Sequence, residues 1–209
     1  MSVLYTILSV GMPRRPRETA AGVHHVVVGA TGGAAYFCDD ADRLTWVRLL
    51  VKMLKHYDWT CVILCQLTTH LHALFEIPDE SLPLGMHMLN MAYGKGFNDR
   101  HDRFGNLVRS RYWSKRMTDE RHLLAAYRYV ARNPTRARMC ERAEDWHWSS
   151  FATSCGLART FPFVDASLVL GALHAEPAAP GEALIGLVRN PHVRYQVPAG
   201  WVRDLSVPR

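Results

Sequence analysis

Four residues of this chain carry side chains suited to work together on a phosphate: two histidines, a tyrosine and an asparagine. His70 and His72 stand one residue apart in the apolar run CVILCQLTTHLHALFEI, residues 61–77. A strand alternates its faces, so both imidazoles project from one side of a sheet while Leu71 turns the other way into the core. Two co-directed imidazoles either bind something or form a costly polar patch on a buried sheet. Tyr129 and Asn133, in HLLAAYRYVARNPTRA, are i and i+4 and share a helical face about one turn apart. Tyr127 lies about 200° around, on the apolar side with Leu123 and Val130, which predicts one core tyrosine and one exposed one.

A phosphodiester repels nucleophiles by its charge and has a poor leaving oxygen. A divalent ion on His70, His72 and the amide oxygen of Asn133 would polarise the phosphoryl oxygen and neutralise developing charge. Tyrosine's phenol, with an ordinary pKa of about 10, needs a nearby cation to become a nucleophile. Attack by Tyr129 would leave a covalent phosphotyrosine that stores the bond energy for later strand joining. Imidazole ligation leans towards Mn²⁺ and cellular abundance towards Mg²⁺, and either is expected. His122, one heptad before Tyr129, falls roughly on its face and is a candidate for assisting proton transfer or contacting phosphate.

The charge of the chain fits such a substrate. The net charge is +6, yet residues 95–142 alone hold 13 Lys and Arg against 5 acids. This basic block is interleaved with Tyr112, Trp113, Tyr127 and Tyr129, a composition that suits phosphate contact and base stacking. Arg109, Arg111, Lys115, Arg132 and Arg136 are the candidates for DNA backbone contacts, which fix position and carry no sequence information. Five cysteines without a Cys-x-x-Cys pair argue against a disulfide framework or zinc ribbon and for a reducing cytoplasm. No run approaches the roughly 18–20 apolar residues of a membrane span.

The elements that must position these residues can be read in order. Residues 24–30 form a strand, 31–33 a turn, and a helix capped by Asp39 or Asp40 runs to about His56. A buried strand at 59–66 and its partner at 70–77 are joined by a turn at Thr68 and Thr69. A second helix spans about 84–101 with Gly94 and Gly96 weakening or bending it, a strand follows at 106–113, and the tyrosine helix ends at Asn133 because Pro134 follows. Asp119 and Glu120 favour the positive end of that helix, near Thr118. The order strand, helix, strand, strand, helix, strand predicts an α+β fold: a ferredoxin-like antiparallel sheet with helices on one face, plus a C-terminal helical extension. The expected division is an N-terminal extension at 1–22, a catalytic domain at 23–155, and a C-terminal extension at 156–209 with a linker near 174–183.

The motifs HHVVVGATGG, LTTHLHALFE, GNLVRSRYW, HLLAAYRYVARNPTRA, DWHWSSF and FVDASLVLGAL stand in the order and spacing of a known family. Over roughly residues 24–173 the chain resembles the HUH single-tyrosine transposases with the IS200-like transposase domain, and most the REP-associated tyrosine transposases. The resemblance implies that His70 and His72 are the metal pair, Tyr129 the nucleophile and Asn133 the third ligand. It further implies cleavage of single-stranded DNA near hairpins or palindromic repeats, leaving a 5′-phosphotyrosine and a free 3′-hydroxyl. A monomer or a homodimer, in the bacterial cytoplasm at the nucleoid, is the setting it suggests. The chain departs from the family at Thr68–Thr69, where Pro-Asn is usual, and at Gly29–Ala30, where Arg-Gly is common.

Three further functions compete with this expectation. A non-catalytic hairpin-DNA or RNA binder would keep the basic surface without dependence on Tyr129. A zinc protein would use His70, His72 and a nearby His or Cys. A replication initiator or relaxase would share the histidine pair, but the short chain lacks a helicase-type Gly-Lys-Ser/Thr loop.

Overall fold

The computed structural model describes residues 18–108, 112–176, 178–192 and 195. The elements are β1 (Gly22–Gly29), α1 (Asp40–Tyr57), β2 (Thr60–Gln66), β3 (His70–Ile77), α2 (Leu82–Arg100), β4 (Trp113–Arg116) and α3 (Glu120–Ala131). Four shorter helices follow: α4 (Asn133–Arg136), α5 (Phe151–Ser154), α6 (Ser167–Ala172) and α7 (Pro180–Arg189). The strands lie in the order β2-β3-β1-β4, and every neighbouring pair is antiparallel. This is the ferredoxin-like arrangement predicted from the element order.

Strand alternation divides the core in two. Val26 and Val28 of β1 and Leu71, Ala73, Phe75 and Ile77 of β3 face one way. They pack on Trp46, Leu50 and Leu54 of α1 and on Leu82, Met86, Leu89, Tyr93 and Phe97 of α2. Val62, Ile63 and Cys65 of β2 and Leu74 of β3 face the other way, where they meet Leu123, Ala126, Tyr127 and Val130 of α3, Val169 of α6, and Leu184 and Leu187 of α7. Helices therefore cover one face through α1 and α2, and the tyrosine helix with the C-terminal helices closes the opposite face as a third layer. The histidine pair of β3 has the parity of Leu74 and so belongs to the α3 side.

Local chemistry explains the helix boundaries. The Asp39 carboxylate accepts from the Asp42 N–H at 3.0 Å and caps α1. Asp119 caps α3, accepting from the His122 N–H at 2.8 Å. Pro134 blocks continuation of α3, which stops at Ala131 before α4 starts at Asn133. Two expectations shift. α2 runs without interruption through Gly94 and Gly96. The fourth strand is Trp113–Arg116, and residues 106–108 contribute one isolated bridge, Val108 to Ala30, in place of a strand. The run NLVRSRYW alternates well, but β1 offers His24–Val27 as pairing partners, and these are taken by residues 113–116. Residues 1–17 lie outside the described residues. α7 begins at Pro180, inside the segment 174–183. Among the described residues no helix is long and apolar enough to cross a membrane.

One contact between α2 and the β2 entrance tolerates no side chain. A Cβ on Gly85 would overlap the Trp59 ring, which is buried and donates through Nε1 to the Ser81 hydroxyl at 2.8 Å. Gly85→Val is expected to lower stability by about 1–3 kcal/mol, the usual range for overpacking a filled site. Urea unfolding followed by Trp fluorescence measures it, and a variant as stable as the parent contradicts this packing.

Candidate active site

The turn between β2 and β3 aims the first histidine. Thr68 O accepts from the N–H groups of Tyr36 (2.9 Å) and Phe37 (3.1 Å), and Ala30 N–H donates to Thr69 O at 3.1 Å. The segment after β1 thus pins the Thr68–Thr69 turn from outside. From within, the buried Arg43 donates to Gln66 O (3.2 Å) and Leu67 O (3.3 Å), with its guanidinium 5.0 Å from the Phe37 ring and 5.5 Å from the Trp148 ring.

His70 and His72 lie side by side with ring centroids 5.0 Å apart. His70 Nδ1 meets the Thr69 hydroxyl at 2.9 Å, and His72 Nδ1 meets His25 Nε2 at 3.0 Å. Each imidazole engages the protein through Nδ1, which leaves its Nε2 for a metal. Burial pushes the His70 pKa down to about 4. Burial, and then the neighbouring His70, His25 and Arg136, hold His72 well below its ordinary value. Both rings are therefore neutral at pH 7, the form that ligates a metal. Asn133 is buried and donates from Nδ2 to Tyr129 O at 3.1 Å, so its Oδ1 is the atom left as a hard donor. Neutral imidazoles and an amide oxygen are side-chain groups able to ligate a divalent ion.

Tyr129 reaches this patch from α3. Its ring centroid is 5.4 Å from that of His72, and the Arg136 guanidinium sits 5.0 Å from the ring centre. Arg136 belongs to α4, and the break after Ala131 brings its guanidinium back over the tyrosine ring. Burial raises the pKa of the phenol, while Arg136 pulls it down. The expected contrast between a core and an exposed tyrosine is not observed: Tyr127 is fully buried and Tyr129 is only 8% exposed. Helical angle places Tyr129 on a different side from Tyr127, but that side lies against the polar face of the sheet.

The remaining sequence candidates divide. Lys115 is exposed on β4 opposite His25, and with Arg121, His122 and Tyr195 it lines a shallow groove beside the site. His122 joins through Tyr195, with rings 5.4 Å apart, while its Nδ1 lies 3.3 Å from the Thr118 amide. Arg132 turns to a separate cleft with Glu141, Glu144 and Arg189. Arg109 and Arg111 lie outside the described residues.

Sequence reasoning did not single out two neighbours of the site. His25 of β1 is fully buried and touches His72, and its ring is 5.8 Å from that of Tyr129. Tyr195 stands 5.5 Å from the Tyr129 ring, and its hydroxyl is 3.1 Å from His25 Nδ1. The parity of β1 was a usable signal for His25, since His25 and Val27 share a face and Val27 pairs with His72. Among the described residues, the His, Cys, Asp and Glu side chains that converge as a trio are Cys38, Asp42 and His101, away from this patch. There Arg100 pairs with Asp42, and both Cys38 N–H and His101 Nε2 also contact the Asp42 carboxylate. That carboxylate already joins the start of α1 to the end of α2.

No protein-family model matches the chain. A protein of Haemophilus influenzae named as a REP-associated tyrosine transposase is 24% identical over 108 residues, 46% of this chain. The chain spans 61% of the length of that relative. A solved structure of a REP-associated tyrosine transposase bound to a REP hairpin superposes with a TM-score of 0.62 at 14% identity. That match covers 74% of this chain and 93% of the other. In sequence and in fold, the chain resembles the REP-associated tyrosine transposases.

Proposed function

We propose, from that likeness, that the chain is a metal-dependent endonuclease and strand transferase acting on single-stranded DNA at hairpins or repeats through a covalent intermediate on Tyr129. The observation that carries the reading is the packing of Tyr129 between His72 and the guanidinium of Arg136. A tyrosine, two co-directed neutral imidazoles and a cation meet on one face of the sheet, which is the equipment for attack on a phosphodiester.

In this account His70, His72 and Asn133 would hold a divalent ion, which would supply Lewis-acid polarisation of a phosphoryl oxygen and offset the charge developing there. Arg136 favours the phenolate of Tyr129 and faces the incoming phosphate. The Tyr129 oxygen forms a bond to phosphorus as the bond from phosphorus to the 3′ oxygen breaks. The phenolic proton departs, the 3′ oxygen takes up a proton, and the 5′ phosphate remains on the tyrosine. Reversal with a different 3′-hydroxyl joins strands without an external energy source. Lys115 lies along the groove that leads to this point and contacts the DNA backbone. A cytoplasmic location suits an enzyme that works on DNA.

The zinc alternative has less support: the third histidine of the patch, His25, directs its Nε2 to His72 Nδ1, and among the described residues no trio of His, Cys, Asp or Glu ligand atoms includes His70 and His72. The test compares single-stranded hairpin and fully duplex oligonucleotides of one sequence, with Mn²⁺, with Mg²⁺ and with EDTA. Nicking of the hairpin alone, abolished by EDTA, is expected. Retarded hairpin on a native gel with no nicking under either metal contradicts the enzyme and leaves a binding module.

A further inference from the structure

The imidazole of His25 and the hydroxyl of Tyr195 form an ordered chain behind His72. Tyr195 Oη is 3.1 Å from His25 Nδ1, and His25 Nε2 is 3.0 Å from His72 Nδ1. His25 comes from β1, His72 from β3, and Tyr195 from beyond α7, so three distant segments meet in one line. β1 and β3 pair with Val27 opposite His72, which puts His25 diagonally across on the same face.

A neutral imidazole carries one ring proton, so such a line has two hydrogen-bond directions. In one, Tyr195 donates to His25, His25 donates from Nε2 to His72 Nδ1, and the His72 proton sits on Nε2. That form has no lone pair to offer a metal. In the other, His72 donates from Nδ1 to His25 Nε2, His25 donates from Nδ1 to Tyr195 Oη, and His72 Nε2 presents its lone pair outward. Only the second is compatible with ligation.

We infer that His25 is a positioning residue that selects and orients the metal-binding tautomer of His72, with the Tyr195 hydroxyl as the acceptor that closes the chain. This rests on the reading of His70 and His72 as metal ligands. Partners of this kind behind a ligating histidine are commonly worth about 10–100-fold in metal affinity. The tyrosine beyond α7 is thereby linked to the metal site across one imidazole, without touching the metal.

Two measurements on the full chain test it. In the metal-free protein, nitrogen-15 shifts of His72 report which ring nitrogen carries the proton, and the proton is expected on Nδ1. Isothermal titration with Mn²⁺ then compares the parent with His25→Leu, His25→Gln and Tyr195→Phe. His25→Leu should weaken Mn²⁺ by roughly 10–100-fold, and His25→Gln should recover most of it because its side-chain oxygen can accept from His72. Tyr195→Phe should weaken Mn²⁺ by a smaller factor. A His72 proton on Nε2, or a folded His25→Leu variant with parental Mn²⁺ affinity, overturns the inference. Equal losses in the Leu and Gln variants also overturn it, since they point to packing alone. If His25→Leu does not fold, the parental tautomer and the Gln variant decide. A parent that binds no Mn²⁺ overturns the metal reading itself, an outcome distinct from the others.

Discussion

Tyr129→Phe is expected to bind hairpin DNA as the parent does and to cleave none of it. The substitution removes one oxygen and keeps the ring. The ring accounts for the contacts of Tyr129 with His25, His72, Tyr195 and Arg136, which are ring packing and cation–π stacking. Stability should therefore change by less than about 1 kcal/mol, the scale of a substitution that opens no cavity and strands no polar group. Cleavage should fall by at least about four orders of magnitude, as when the nucleophile is removed from a covalent mechanism. The pairing of unchanged binding with absent cleavage separates a chemical role from a structural one. A Phe variant that cleaves at even a tenth of the parental rate would give the chemistry to another group.

Removal of the histidines should have the second largest effect, and the two positions should differ in an informative way. Both His70→Ala and His72→Ala should reduce cleavage to background and abolish measurable Mn²⁺ binding, because two of three protein donors cannot hold a labile divalent ion well. Their costs in stability should diverge. His72 is nearly fully buried and is the partner of His25 Nε2, so truncation opens a cavity and strands a buried nitrogen. A loss of about 2–4 kcal/mol is expected for His72→Ala on those grounds. His70 opens β3 beside the turn and is less buried, so His70→Ala should lose no more than about 1 kcal/mol. Calorimetric Mn²⁺ titration and thermal unfolding of the same preparations measure both. Parental Mn²⁺ affinity in His70→Ala would mean that the metal, if any, binds elsewhere.

Much of this architecture can be read from local pattern. The period of two in β3 puts His70 and His72 on one face and Leu71 in the opposite core, and the structure places them so. Asp39 before the apolar stripe of α1 and Pro134 after α3 mark ends that depend on nearby atoms alone. The order of elements also suffices for the sheet order, because short connections leave few alternatives.

What the sequence conceals depends on distant partners. His25 is an unremarkable member of HHVVVG until β1 is registered against β3, which sets it beside His72. A helical wheel gives the direction of Tyr129 but not what covers it, and the cover comes from the sheet and from Tyr195, 66 positions later. Arg132 and Arg136 look equivalent in RYVARNPTRA, yet only Arg136 meets the tyrosine. The fourth strand starts at Trp113, because pairing with His24–Val27 selects residues 113–116 over the equally well patterned run before them.

The most direct test of the central claim follows the fate of each DNA end. A single-stranded hairpin oligonucleotide, labelled at its 3′ end in one sample and at its 5′ end in another, is incubated with the protein and Mn²⁺ and resolved on a denaturing gel. A phosphotyrosine on the 5′ phosphate predicts that the 3′ label migrates with the protein, that the 5′ label leaves on a shortened strand with a free 3′-hydroxyl, and that Tyr129→Phe gives neither. Cleaved DNA with no label on the protein, or a protein-bound label that persists in Tyr129→Phe, would contradict it.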